Sequence, residues 1–507
     1  MITSVKALIV VLAIAAVIFR LGKPIALLFS TESDFSRRRN VWFLLTVVGF
    51  LSPNFWLFAL VAAPVIAWAG RKDTNPVALY LILLHVIPPV PVDIPAIAVK
   101  QLFSLDIYRL LSFFVLIPTA WRLRKLKNSA RIRGLTAMDL SLLAFGLLQL
   151  LHYVPPDLPD HTILPDSPTN VLRRGFLFFV DVYVLYYVVS RSLNSRRALV
   201  DTLSAFCLAS AVMASVAVFE AFRGWLLYVS ISDRWGTLAV YGSQYGVYFY
   251  RAGFLRAQAS AGFPLPLGYL LAIAFGFWLY LKAHVKSATW RIAVGGVFWL
   301  GLLASQARGS LIGAVIIYFA FAILGPRAVP RALKAAVFAL LSVGAVSLTP
   351  FGERILDSIP FFGESTDTVS VDYRQRLAER SWELIQMNPL LGDPLATTKM
   401  EDLRQGQGII DLVNTYAEVA LFYGAIGLVL FLAIILIGLS KAFLVSREAA
   451  RRDPDYSLLG ASLAACLVGT LFVLASTSLI YGHAILFYTL AGLAAAYAYI
   501  GQLPKPR

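Results

Sequence analysis

Four stretches of this chain carry residues suited to chemistry on an anionic substrate. In RAQASAGFPLPLGY, Arg256 precedes Gly262, Pro264, Pro266 and Gly268, and Arg251 lies just upstream. Glycines and prolines at a helix entry leave backbone N–H groups free, and a nearby guanidinium completes an anion site. The competing reading is an interfacial arginine resting among lipid headgroups. In SQARGSLIG, Arg308 stands in a short turn between two apolar runs. An ionisable group at a membrane boundary needs a partner or must snorkel to the headgroup layer. In DYRQRLAERSWELIQMNPLLGD, Arg376 and Arg380 are four residues apart and share a helical face that could hold a diphosphate. The alternative there is local pairing, Arg376 with Glu379 and Arg380 with Glu383. In DLVNTYAEVALFYGAIGLVLF, Asp411, Asn414, Tyr416 and Glu418 mark the return to an apolar run. Glu418 falls in the first helical turn, where the helix dipole favours a carboxylate. It could equally be a helix-start residue facing water. Guanidinium groups would neutralise a departing phosphate, and Asp411 or Glu418 would accept a proton.

Histidine, the usual base near neutral pH, is absent from the segment 350–415. His152, His161 and His483 read as nearer the outer face, His85 and His284 as inner or buried, and all five suit structural roles. Cys207 and Cys466 lie within apolar runs and suggest neither a disulfide nor a metal site.

The elements that must position these groups are apolar helices. Of 507 residues, 59% are hydrophobic and 14% charged, against about 25% charged in a soluble domain. Apolar runs near the roughly 20 residues needed to cross a bilayer recur along the chain. The expected fold is therefore all-α: a polytopic integral membrane helical bundle of about 12 to 15 transmembrane helices with one large helical periplasmic loop. The formal charge of +16 follows from basic clusters in short loops. These include Arg37 to Arg39, Arg122 to Arg133, Arg191 to Arg197, Lys282 to Arg291 and Lys441 to Arg452. The positive-inside rule puts them on the cytoplasmic face, so nucleic-acid binding is not implied. The C-terminus then lies in the cytoplasm. The acid-rich segment 350–415 lies outside, together with 152–174, 222–264 and the turn at Arg308. The chain divides into 1–349, transmembrane helices whose largest outer loop is 222–264; the periplasmic loop 350–415; and the C-terminal helices 416–507. Finer expectations are a hairpin turning at Ser52-Pro53-Asn54, a break at Gly22–Pro24 and a span over 333–349. A further span is expected at 457–478. In the loop, a helix capped by Asp372 and Gln375 shows an apolar face of Tyr373, Leu377 and Leu384 and stops at Asn388-Pro389. No nucleotide-binding glycine loop and no zinc-type cluster occurs.

Taken in order, these stretches resemble the O-antigen ligase and polymerase family of bacterial envelope glycosyltransferases. The shared features are Arg256 before Gly262 and Pro264, the turn Ser305 to Ser310, and Arg376-Leu377 with Asn388-Pro389-Leu390-Leu391-Gly392. Asn414, Tyr416, Gly424, Gly427 and Leu428 complete the pattern. It covers about residues 245–440. The resemblance implies transfer of a glycan from an undecaprenyl-diphosphate-linked oligosaccharide to a saccharide acceptor at the periplasmic face of the inner membrane. It implies neither cofactor nor metal. Arg256 and Arg308 would bind the diphosphate, with Arg251, Arg376 and Arg380 as further substrate contacts and Asn414 and Tyr416 beside the acceptor. Membrane lipid, a chain-length regulator and export proteins are the other partners it suggests. Tyr241, Tyr245, Tyr248 and Tyr250 could stack on sugars or simply anchor the interface. Ligases of the family commonly carry a histidine before the Asn of the N-x-Y motif. Here that residue is Val413, which leaves Asp411 or Glu418 as base and favours polymerisation of exopolysaccharide or O-antigen repeats over ligation to lipid A-core. A transporter or flippase of lipid-linked glycan is the alternative from another class; it would carry its charges at mid-membrane.

Overall fold

The computed structural model describes residues 2–95, 102–125, 134–152, 168–236, 247–251, 253–325, 330, 368–404 and 410–503. It is an all-α bundle. Eight described helices are long and apolar enough to cross a membrane: Thr3–Ala26, Phe55–Lys72, Arg196–Arg223, Pro264–His284, Ala288–Ser305, Thr415–Ala449, Pro454–Ala475 and Gly482–Gln502. Two shorter apolar helices, Ala137–Leu151 and Arg308–Leu324, pack among them. The helical stretches 107–125 and 168–192 each contain a π turn, at Ser112–Leu116 and Phe179–Tyr183. The expected span 333–349, Tyr241, Tyr245 and His161 lie outside the described residues.

The hairpin at Ser52–Asn54 is present, with Asn54 accepting the Leu57 N–H at the next helix start. The N-terminal segment differs from expectation. Residues Ile2–Ala26 form one helix with Pro24 in its last turn, where the helix is already ending and a proline's disruption is small. The helix expected to run to residue 478 stops at Ala475. Ser476 to Ile480 form a connector whose polar residues have partners of their own.

Close approach in the centre depends on small residues, as is usual where helices pack within lipid. A Cβ placed on Gly469 would lie 2.3 Å from Ile317 Cγ1 and 3.1 Å from the Gly313 carbonyl. One placed on Gly276 would lie 2.4 Å from Cys466 Sγ. Two of the basic clusters prove to contain buried locks. Arg38, only 3% exposed, pairs with Asp73 at 2.7 Å and Asp201 at 2.8 Å. Arg191 pairs with Asp139 at 2.8 Å. Removing one partner from such a pair leaves a buried charge and typically costs about 3–5 kcal/mol. These arginines therefore tie helices together and do not contribute to a solvent-facing positive surface.

The polar segment after Thr368 packs against the bundle. Its helix runs Thr368–Met387, so Asp372 lies inside it and is not the cap that the D-x-x-Q spacing suggested. Asp372 instead pairs with Arg376 one turn on. Leu377 and Leu384 are buried with Ala396, Met400, Leu403 and Leu421, and Tyr373 packs beside them. The expected apolar face is thus the docking face.

Candidate functional site

A two-stranded ribbon, Tyr250–Arg251 with Phe254–Leu255, presents the first two arginines. Arg256 continues the ladder through its N–H to the Phe249 carbonyl at 2.9 Å. Directly opposed residues of an antiparallel pair point to one face. Arg251 faces Phe254 and Arg256 faces Phe249, so both arginines belong to the same face of the ribbon. That ribbon takes the last carbonyls of the helix Ala288–Ser305. The Ala257 N–H donates to Ala304 O at 2.9 Å, Arg256 Nε to Ser305 O at 3.4 Å and Arg251 Nη1 to Gln306 O at 2.9 Å. Cations at the negative end of a helix dipole are favourably placed.

Arg308 opens the following helix, Arg308–Leu324, whose N-cap residue Ala307 supplies no side-chain hydrogen bond. Its Nε is buried without a partner among the described residues. Burial pushes the Arg256 guanidinium down to about 10, and the charges of Arg251 and Arg308 add to the effect. Three guanidinium groups therefore converge where a helix start offers free N–H groups, an arrangement complementary to a multiply charged anion.

The carboxylate stretch reaches this turn through the connector 476–480. A Cβ on Gly309 would fall 2.3 Å from Ser476 Oγ. The next carbonyl, Thr477 O, receives both the N–H of Thr415 at 3.0 Å and its hydroxyl at 2.7 Å. Ser478 Oγ donates to Asp411 Oδ1 at 2.8 Å, and the Val413 N–H donates to the same oxygen at 3.2 Å. Asn414 caps the long helix by accepting the N–H groups of Tyr416 and Ala417. Tyr416 donates its hydroxyl to Leu471 O at 2.6 Å. Glu418 lies beside the Leu479 N–H and Asp411, and its Oε2 is buried with no partner among the described residues.

Of the expected site residues, Arg251, Arg256 and Arg308 come together, and Asp411, Asn414, Tyr416 and Glu418 adjoin them through the connector. Arg376 and Arg380 do not join this cluster in any described contact. Arg376 is exposed and pairs with Asp372. Arg380 pairs with Glu383 at 2.8 Å and donates to Lys399 O. Their charges are engaged locally because the buried side of their helix is the apolar one. Sequence reasoning overlooked Ser476 to Ser478, which it folded into a membrane span; three consecutive hydroxyl residues ending an apolar run were the available signal.

Three described non-glycine residues have positive φ: Ala259 at 44°, Gln306 at 49° and Val413 at 49°. All three adjoin this site, in keeping with the clustering of backbone strain at functional positions. Left-handed backbone is least tolerable for a β-branched residue. Asparagine tolerates it, so Val413→Asn should stabilise the protein by roughly 1 kcal/mol, seen as a higher thermal midpoint in detergent. An unchanged or lower midpoint would show that the Val413 side-chain packing outweighs the strain.

The helical architecture defines an integral-membrane protein, and the arginine cluster is its candidate anion site. Residues 293–432 match the O-antigen ligase family model. The match supports glycosyl transfer of the ligase and polymerase type. It covers the Arg308 turn, Arg376, Arg380 and the Asp411 to Glu418 stretch; Arg251 and Arg256 lie upstream of it. No curated protein matches the chain.

Proposed function

We propose that this protein is an inverting, metal-independent glycosyltransferase acting on a polyprenyl-diphosphate-linked oligosaccharide at the periplasmic face of the inner membrane, most simply as a polymerase of exopolysaccharide or O-antigen repeats. The observation that carries the reading is the convergence of Arg251, Arg256 and Arg308 at the uncapped start of the Arg308–Leu324 helix. The acceptor hydroxyl oxygen attacks the anomeric carbon from the face opposite the diphosphate. The bond from that carbon to the phosphate oxygen breaks, and the electron pair leaves on the polyprenyl diphosphate. Guanidinium groups stabilise the charge growing there, a task otherwise given to a divalent ion. The acceptor proton passes to Glu418, whose Oε2 has no partner among the described residues, while Asp411 is occupied in fixing the connector. The polar segment 368–404 would flank the acceptor side.

Reconstitution of the purified protein with a synthetic lipid-diphosphate oligosaccharide tests this. Turnover in EDTA should match turnover with magnesium, and the product should be a ladder of repeats. Dependence on added metal would exclude the mechanism. A single transfer to lipid A-core would convert the assignment to ligase, and translocation without transfer would replace it with transport.

A further inference from the structure

We propose that Glu220 is a positioning residue for the arginine site, holding the backbone on which Arg256 stands; this rests on the transferase reading above. Glu220 lies near the end of the Arg196–Arg223 helix and is fully buried. Its Oε1 accepts the Leu227 N–H at 2.9 Å. Its Oε2 accepts the N–H groups of Gln258 at 3.0 Å and Ala259 at 2.8 Å. No side-chain cation neutralises it among the described residues. A buried carboxylate persists when hydrogen bonds replace its water, and three backbone donors do so here.

What those donors achieve concerns Arg256. The segment is pinned on the near side by the Ala257 N–H to Ala304 O and on the far side by the two N–H groups on Glu220. Gln258, at φ −125° and ψ −27°, turns both N–H groups to one oxygen, and Ala259 follows in an unfavourable φ of 44° that this anchor helps to hold. Like charges on Arg251 and Arg308 push Arg256 away, and an anchored backbone prevents it from yielding. Glu220 also ties the segment after Arg223 to the same point through Leu227. It touches no reacting group. Its effect travels through Arg256.

Glu220→Gln is the informative variant. The amide is isosteric, and its oxygen can still accept from Gln258 and Ala259, but its NH2 then confronts the Leu227 N–H. The expected result is a folded protein whose kcat falls about 10- to 100-fold, while the KM for the acceptor is unchanged. In an Arg256→Ala background the same change should alter the rate less than about twofold, because the group it positions is gone. A loss that multiplies with that of Arg256→Ala, or a wild-type kcat for E220Q, overturns the positioning role. Wild-type activity of Arg256→Ala alone would instead overturn the transferase reading itself. Should E220Q fold poorly, Ala259→Gly added to it supplies the φ at no steric cost and should restore yield and part of kcat. If neither form folds, Glu220 serves the fold alone and the proposal fails.

Discussion

Replacing Arg308 by alanine is expected to lower transfer about 10²- to 10³-fold, or roughly 2.7–4 kcal/mol of transition-state stabilisation. The figure is that for removing one preorganised charge donor in a water-poor site. Arg308 stands at a helix start without a side-chain cap, and its Nε is buried with no partner among the described residues. Its loss should therefore cost little stability while depriving the leaving group of a donor. Arg308→Lys keeps the charge but not the planar fork, so it should recover only part of the rate. The contrast lies at Arg376 and Arg380, which satisfy themselves with Asp372, Glu383 and Lys399 O. Alanine at either should change kcat/KM less than about threefold, since exposed pairs contribute little. Steady-state kinetics on a defined lipid-diphosphate donor separate the two groups. Equal losses at Arg308 and Arg376 would mean that the diphosphate binds the loop helix as well.

A second large effect is expected where the polar segment meets the long helix. Gly424 interrupts Thr415–Ala449 with φ 63° and ψ −166°, a region open essentially to glycine alone. The backbone groups freed by this break are taken up by Pro389 to Asp393. The Ala425 N–H donates to Pro389 O at 2.8 Å, the Ile426 N–H to Leu390 O at 3.2 Å, and the Asp393 N–H to Leu421 O at 2.8 Å. Gly392, at φ 71°, lets the two chains touch: a Cβ there would sit 2.5 Å from the Tyr423 nitrogen. A Cβ on Gly424 would sit 2.3 Å from the Leu390 carbonyl oxygen. Both neighbours are backbone and cannot rotate aside. Gly424→Val or Gly392→Val should therefore cost about 3–5 kcal/mol, abolish transfer and expose Thr368–Leu403 to protease. Gly296, whose Cβ would meet nothing within 4 Å, supplies the control. Its alanine variant should be neutral or slightly stabilised and fully active. Protease resistance of Gly424→Val equal to wild type would show that the segment docks without these hydrogen bonds.

The membrane helices were legible in the sequence because apolar runs and their breaks are local signals. The turn at Asn54, the helix stop before Asn388 and the start at Asn414 all followed from residue type. Arg256 and Arg308 stood out for a related reason, since a charge beside an apolar run is conspicuous. Their convergence was not legible, because it depends on a four-residue ribbon too short to announce itself and on the carbonyls that end another helix. Val413 was conspicuous as a missing histidine; its left-handed backbone was not. Glu220 was hidden for the opposite reason to the arginines: its partners are backbone amides, which leave no trace in residue identity. The same is true of Asn388-Pro389-Leu390-Leu391-Gly392, whose purpose is to complete the hydrogen bonding of a helix some 30 residues later.

That last arrangement bears on how such proteins can be recombined. The residues that seal the break at Gly424 belong to the polar segment and the break belongs to the helix, so neither is a self-sufficient module. A chimaera that exchanges the polar segment at the apparent membrane boundary would separate the two halves of one backbone repair. Exchanges that carry 388–426 as a single cassette should give protein in the membrane, whereas those cut between 393 and 421 should not, unless both parents share the geometry. The unit of inheritance is the seam between the two chains, and specificity for a different sugar would have to be introduced around it.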